Sequence, residues 1–144
     1  MANIIPDSFK SELLSGTHNF ASGGDTFKIA LYVTTLGPPY TTASTVYSTD
    51  NEVSSSGTNY AAGGNELDGQ GVSVPGSNTA TVDFTNEVFS SVTLTSLGAA
   101  IYNVTNGSKL CLVIDFGGDK VATSGDFTIQ FPADAATTAI IQVA

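Results

Sequence analysis

The chain has 144 residues, a net charge of −9 and only 12% charged residues. This length fits one domain, and a domain of this size buries enough surface to fold without a metal ion or a disulfide. Because binding to nucleic acids or anionic membranes depends on clustered basic residues, the composition argues against both partners. The cations are four lysines, with no arginine, namely Lys10, Lys28, Lys109 and Lys120.

The single cysteine and the single histidine limit the metal chemistry that the chain can support. Cys111 lies in an apolar run and His18 lies far from it in the sequence, so a zinc site of Cys and His ligands is not expected. The first residues, MANIIPDSFK, lack the basic and apolar regions of a signal peptide, and no apolar stretch is long enough to cross a membrane. We therefore expect a soluble protein that is made in a cytoplasm.

One short helix is predicted in the stretch PDSFKSELLSG near the start of the chain. Asp7 or Ser8 would cap its N-terminus, and Gly16 would end it in a left-handed conformation. Helical spacing predicts an apolar stripe made of Phe9, Leu13 and Leu14.

After Thr26, apolar residues recur at every second position. The stretch TFKIALYVT predicts a strand with one apolar face, and the proline pair in GPPY, at residues 37–40, would end it. The predicted face consists of Phe27, Ile29, Leu31 and Val33.

Residues 41–78 are rich in Ser, Thr, Gly and Asn, and only TVYST and GVSV indicate short strands. Tyr60 and Leu67 stand isolated among flexible residues. Because long loops in a small domain are usually functional or form interfaces, we expect a surface excursion that contacts a partner.

Apolar and polar residues alternate again in the second half of the chain. Ala80, Val82 and Phe84 would share one strand face, and Val92 with Leu94 would share another. The Asn-Gly turn at residues 105–108 predicts a hairpin between GAAIYNV and KLCLVIDF, and GDFTIQFP and TAIIQV supply the last two strands. Eight or nine strands and one N-terminal helix predict an all-β protein, an antiparallel, jelly-roll-like β-sandwich at residues 25–144 preceded by an arm and helix at residues 1–24.

The segment LCLVIDFGGDK contains Asp-Phe-Gly, the magnesium-binding tripeptide of protein kinases. A kinase also needs a glycine-rich loop, a catalytic His-Arg-Asp motif and a much larger fold, so this function is excluded. We interpret the segment as a strand that ends in a turn, where Gly117 and Gly118 supply positive φ angles. Its inward face would consist of Leu110, Leu112, Ile114 and Phe116.

Other chemistry is weakly indicated. Two acidic groups offer oxygen ligands for calcium, although neither has the spacing of an EF-hand. They are Asp115, Asp119 and Asp126, and Asn65, Glu66 and Asp68. A hydrolase would require His18 to meet a nucleophile, and no Gly-x-Ser-x-Gly motif is present. We therefore assign no catalytic, cofactor-binding or metal-binding residues and expect a structural or binding protein rather than an enzyme.

Six stretches along the chain resemble small virion proteins of tailed bacteriophages. They are DSFKSELLSGTHNF, DTFKIALYVT, STDNEVSSSGTNYAAGG, GAAIYN, CLVIDFGGDK and DFTIQFPADAATTAIIQVA, which follow one another in this order from Asp7 to Ala144. The resemblance implies a capsid decoration (cement) protein, a jelly-roll module that clamps subunits of the major capsid protein on the outer surface of the shell. It would be made in the host bacterial cytoplasm and would associate with itself as a dimer or trimer. The alternative is a tail- or fibre-associated virion protein that contacts the host surface.

On this interpretation, two segments would reach neighbouring subunits. They are the N-terminal segment 2–9 and the excursion 41–77, and deletion of residues 2–9 would abolish particle binding while the domain stays folded. The side chains predicted to contact the capsid are Ile4, Ile5, Phe9, Tyr40, Tyr47, Tyr60 and Leu67.

Overall fold

The computed structural model describes residues 3–33, 40–76 and 78–144. These residues form one helix and seven strands. They are α1 (Asp7–Leu14), β1 (Phe27–Tyr32), β2 (Asn65–Glu66), β3 (Gly71–Gly76), β4 (Thr79–Asp83), β5 (Glu87–Asn103), β6 (Lys109–Ile129) and β7 (Ile141–Val143). The predicted strand end in GPPY lies outside the described residues except for Tyr40.

The strands form two antiparallel sheets. The four-stranded sheet has the order β2-β1-β5-β6, and the three-stranded sheet has the order β3-β4-β7. Apolar residues of both sheets meet in one core, which is the arrangement of a β-sandwich. The prediction of a mainly antiparallel β protein with one short N-terminal helix is thereby confirmed.

Helix α1 begins at Asp7, directly after its N-cap residue. Pro6 is the N-cap residue and no side chain caps the helix, so the predicted capping by Asp7 or Ser8 is wrong. The predicted end at Gly16 is confirmed, because Gly16 has a φ of 74°. The Thr17 amide donates to the Glu12 carbonyl oxygen at 2.9 Å, which satisfies an otherwise unpaired carbonyl of the last turn.

Phe9 of the predicted helical stripe is buried and Leu13 packs partly against the core, whereas Leu14 is 92% exposed. Phe20, which follows the helix, stacks on Phe27 of β1 with 4.3 Å between ring centroids. Residues 3–24 therefore belong to the same core as the strands. Deletion of residues 2–9 would remove Phe9 from that core, so we expect it to destabilise the domain as well as to affect particle binding.

Strand β1 is buried on both faces. Phe27, Ile29 and Leu31 join the main core as predicted, whereas Val33 lies beyond the end of the strand and is exposed. On the opposite face, Tyr32 belongs to a second buried cluster, which the loop following the strand covers. That cluster contains Ala30, Tyr32, Tyr40, Ala100, Tyr102, Leu110 and Val113.

The second half of the chain is dominated by one long hairpin. The predicted strands SVTLTSL and GAAIYNV are continuous in β5, and KLCLVIDF continues through GDFTI in β6. The predicted Asn-Gly turn connects them, with Gly107 at a φ of 71°. The register between the two strands shifts at four places, and β-bulges at these places keep the strands paired.

One bulge changes which side chains of LCLVIDFGGDK face the core. Ile101 pairs with Leu112 and Tyr102 pairs with Leu110, so Cys111 is an extra residue in β6. As a result, Cys111 and Leu112 both join the main core, and Leu110 faces the second cluster. The predicted inward orientation is therefore wrong for Leu110, although Leu112 and two later apolar residues follow it.

The glycine pair of this segment lies within β6 rather than after it. Gly117 and Gly118 have φ angles of 73° and 146°, as the sequence predicts. However, Gly98 pairs with Asp115 and Ser96 pairs with Lys120, so residues 116–119 are extra residues in β6, which continues to Ile129. The predicted exit turn is therefore a bulge inside a continuous strand.

Candidate functional site

A buried polar cluster surrounds His18, between α1 and the end of the β5–β6 hairpin. The Asn103 amide donates to His18 Nδ1 at 2.9 Å, so the ring proton lies on Nε2, which donates to Glu12 Oε2 at 2.8 Å. Lys109 Nζ lies 2.7 Å from Glu12 Oε1. Burial alone would raise the pKa of Glu12, but the hydrogen bonds from Lys109 and His18 outweigh it and lower the pKa.

The same cluster holds the loop that precedes β1. The Asp25 carboxylate accepts hydrogen bonds from the side-chain amides of Asn103 at 2.8 Å and Asn106 at 2.9 Å, and from the Asn19 backbone amide at 2.9 Å. Asn103 is thereby fully hydrogen-bonded although it is completely buried. The cluster ties the helix, this loop and the hairpin turn together.

Cys111 lies beside His18, and this contact bears on the hydrolase alternative. The Cys111 Sγ atom is 3.9 Å from His18 Nδ1, and His18 in turn contacts Glu12, which is the spatial order of a nucleophile, a base and an orienting carboxylate. Cys111 is 0% exposed, however, and burial raises the pKa of its thiol. Because a thiolate is the reactive form and Nδ1 already accepts a hydrogen bond from Asn103, this geometry fits a packing role.

All five tyrosines of the chain lie in or beside one polar network. Its centre is Glu52, whose carboxylate accepts hydrogen bonds from Tyr47 Oη at 2.6 Å, Tyr60 Oη at 2.7 Å and the Gly63 amide at 2.6 Å. The tyrosines are Tyr32, Tyr40, Tyr47, Tyr60 and Tyr102. Glu52 therefore fixes two separate parts of the excursion that the sequence predicts at the surface.

The remaining tyrosines attach this network to the four-stranded sheet. Tyr32 Oη and Tyr40 Oη lie 2.7 Å apart. The ring of Tyr47 stacks on that of Tyr102 with 4.4 Å between centroids, and Tyr102 Oη donates to the Gly63 carbonyl oxygen at 2.6 Å. Tyr40 and Tyr47 of the excursion therefore cover part of the outer face of the sheet, whereas Tyr60 is buried in the main core.

We expect the protein to unfold cooperatively at high pH. Burial and the nearby Glu52 carboxylate raise the pKa of Tyr102 to about 12, and burial raises the pKa values of the other four tyrosines as well. An unfolded tyrosine ionises near pH ~10. Above that pH the folded state holds more protons than the unfolded state, so stability is complete below pH ~10 and falls as the pH rises.

Alkaline titration followed by phenolate absorbance and circular dichroism measures this effect. Both signals should change together, above the pH at which free tyrosine ionises. Gradual ionisation of all five tyrosines near pH ~10, with an unchanged β spectrum, would contradict the arrangement around Glu52.

The structure places the predicted contact residues in two groups. Four have almost no exposed side-chain surface, because they are buried inside the chain itself, so their predicted contact with a partner stays a prediction that would require these side chains to leave the core. They are Phe9, Tyr40, Tyr60 and Leu67. Ile5 is exposed, and Ile4 and Tyr47 are partly exposed, so their contact with a partner stays a prediction.

The two acidic groups considered for calcium are not assembled into a site. Within residues 3–33, 40–76 and 78–144, no three His, Cys, Asp or Glu side chains lie close enough to share a metal ion. The Asp126 carboxylate accepts a hydrogen bond from the Ser91 amide at 3.0 Å, which is an ordinary role for an acidic residue beside a bulge.

An apolar groove between α1 and the three-stranded sheet is the first candidate interaction surface. It has a volume of about 410 Å³, and we call it the valine groove. Val72 on β3 and Val143 on β7, which are 55% and 57% exposed, line its two sides. Its main apolar lining consists of Leu13, Phe20, Val72, Val82, Ile141 and Val143.

Sequence patterns alone did not identify this surface. The alternation in GVSVPG predicts a strand with valines on one face, and β3 confirms the strand. The same alternation does not predict that the valine face of this strand lies outside the core and is exposed. Val74, which is 67% exposed, and Val143 resemble core residues in the sequence, because exposure depends on which element covers them.

No family model, curated protein or solved structure matches the chain. In the part of the chain that the structure describes, no helix is both long enough and apolar enough to span a membrane.

Proposed function

We propose that the protein is a structural component of a tailed-bacteriophage virion. In this role it is a decoration (cement) protein that binds the outer surface of the major capsid protein shell and stabilises the head. A jelly-roll-like topology of the two sheets and self-association into a dimer or trimer belong to the same proposal. The sequence resemblance to phage virion proteins is the source of this proposal.

The structural observation that supports the proposal is the valine groove. Contiguous exposed apolar surface on a protein usually marks a site where another protein binds. Here Val72 and Val143 flank a groove whose floor includes Phe20 and Ile141. The chain also has a net charge of −9, which suits an outer surface that must not bind the packaged DNA.

Immunogold labelling of intact virions tests the proposed location. Antibodies raised against the purified protein should label the whole surface of the head. Label confined to the tail or fibres would overturn the decoration role and favour the alternative, a protein that contacts the host surface. Absence of label from washed virions that still infect would overturn both roles.

Single substitutions in the valine groove should weaken particle binding without unfolding the domain. Val72→Asp and Val143→Asp, made separately, place a charge in the proposed apolar interface, and each should reduce binding to decoration-free heads about tenfold. Cosedimentation with such heads measures the affinity. Val104→Asp is the matched control, because it adds the same charge at an exposed valine of the hairpin turn, outside the groove.

Circular dichroism and thermal unfolding should be nearly unchanged in all three variants. Equal head binding by the groove variants and the control would show that the groove is not the interface. The location of the protein on the virion would still be tested independently by the immunogold labelling.

A further inference from the structure

The outer edge of β6 already forms two isolated antiparallel bridges with other segments, Val46 with Lys109 and Ile4 with Val113. Within the chain, the Ile4 amide donates to the Val113 carbonyl oxygen at 2.9 Å, and the Val113 amide donates to the Ile4 carbonyl oxygen at 2.8 Å. Next to this pair, the Asp115 amide donates to Asn3 Oδ1 at 2.8 Å. The N-terminal segment thus pairs antiparallel with the first part of the edge.

The same edge is open farther along the strand. From Lys120 to Ile129, β6 pairs with β5 on one side, and no other described strand pairs with it on the opposite side. Ala122 and Phe127 are buried and their neighbours Val121 and Thr128 are exposed, but a β-bulge with Ser124 at a φ of 45° interrupts the alternation between them. An open strand edge of this length presents a row of backbone donors and acceptors to a partner.

An apolar groove runs beside this open edge, and we call it the edge groove. It has a volume of about 430 Å³ and lies between β6 and the segment that leads to β7. Its apolar lining consists of Ile114, Phe116, Phe127, Ile129, Phe131 and Ile140, and Lys120 lies at its rim. Phe127 and Ile129 belong to the main core, and the other four side chains are partly buried against it, so the groove is an opening in the side of the sandwich.

We propose that the open edge of β6 and the edge groove bind an extended segment of a partner chain as an added β-strand. Backbone hydrogen bonds to residues 120–129 hold the segment, and alternate apolar side chains of the segment fill the groove. The binding mode continues the one that the chain's own Ile4 already uses on β6. It does not depend on whether the protein belongs to the head or the tail.

Charge determines the kind of partner. The stretch of β6 beside the groove carries Asp119 and Asp126 against the single cation Lys120. Of the other lysines, Lys10 pairs with Asp7 and Lys109 pairs with Glu12. The bound segment therefore has an uncharged centre with basic ends. Because the four lysines of this chain lie at least 11 positions apart, no short extended segment of a second copy carries a lysine at both ends, and the bound segment belongs to a different protein.

A synthetic peptide of that chemistry, Ac-KTVTVTVTK-NH2, tests the proposal with the full-length protein. In NMR titrations, saturable shifts should be confined to residues 114–131 and Ile140. Amides on the outer edge of residues 120–129 should exchange about tenfold more slowly when the peptide is bound. The control peptide has the same sequence with N-methyl groups on alternate residues, which removes one edge of hydrogen-bond donors, and it should not bind.

A pair of charge variants checks the electrostatic part of the proposal. Lys120→Glu should tighten peptide binding about threefold at low salt. Lys10→Glu makes the same change of charge on α1, outside the groove lining, and should leave the affinity unchanged. Scattered shifts, equal binding of the N-methylated peptide or equal effects of the two variants would overturn the strand-addition proposal. Self-association through residues 120–129 without peptide would overturn the heterologous partner.

Discussion

Gly64→Ala is expected to lower the free energy of unfolding by about 3–4 kcal/mol. Gly64 lies just before β2, where the chain passes directly over β1 with a φ of 75°. A Cβ atom at this position would lie 1.8 Å from the Ile29 carbonyl oxygen and 2.8 Å from the Ala30 Cα atom. Since both atoms belong to the backbone of a buried central strand, neither can move aside at low cost.

Gly57→Ala is the matched control for this prediction. Gly57 has nearly the same positive φ, 72°, but a Cβ atom there would meet no other atom within 4 Å. Only the conformational cost remains, and the expected loss is about 1 kcal/mol. Urea denaturation followed by circular dichroism measures both variants. Equal losses would mean that the close approach to β1 does not constrain residue 64.

Glu52→Ala is expected to lower the free energy of unfolding by about 2–3 kcal/mol. The substitution leaves the hydroxyl groups of Tyr47 and Tyr60 and the amide of Gly63 without their acceptor in a largely buried region. Glu52→Gln keeps one acceptor oxygen and should lose less. Asp50→Ala, which removes an exposed carboxylate two residues away, should change stability by less than about 0.5 kcal/mol.

Tyrosine emission is a suitable probe for this series, because the chain contains no tryptophan and because Tyr47 and Tyr60 donate hydrogen bonds to Glu52. In Glu52→Ala, the emission should change in the folded state, before the cooperative unfolding transition. An unchanged stability of Glu52→Ala would show that water replaces the lost acceptor and that the excursion is held mainly by its apolar contacts.

The burial of these tyrosines moves the candidate interfaces to other parts of the surface. Tyr40 and Tyr60 resemble exposed recognition residues in the sequence, but in the fold they attach the excursion to the four-stranded sheet. The candidate surfaces for partners now include the valine groove and the edge groove, in addition to Ile4, Ile5 and Tyr47, whose contact stays a prediction. The two grooves share no lining residue, although the consecutive residues Ile140 and Ile141 line the edge groove and the valine groove respectively.

Local sequence patterns predicted those secondary-structure elements and turns that depend only on neighbouring residues. The alternation of Phe27, Ile29 and Leu31 predicts β1 and its core face, because side chains on a strand point to alternate sides. Gly16 ends α1 and Asn106-Gly107 turns the hairpin, because both places need a positive φ or a tight turn that few residues adopt.

Only the tertiary structure decided the features that depend on what lies opposite a residue. The bulge at Cys111 turns Leu110 away from the main core, because the register of β6 is set by its pairing with β5 and not by its own alternation. Tyr60 and Leu67 are buried because the sheet offers them apolar surface, while Val72 and Val143 stay exposed because no described element covers them. Whether a side chain is buried depends on which distant segment packs against it, so the pattern of residues within one segment does not predict its burial.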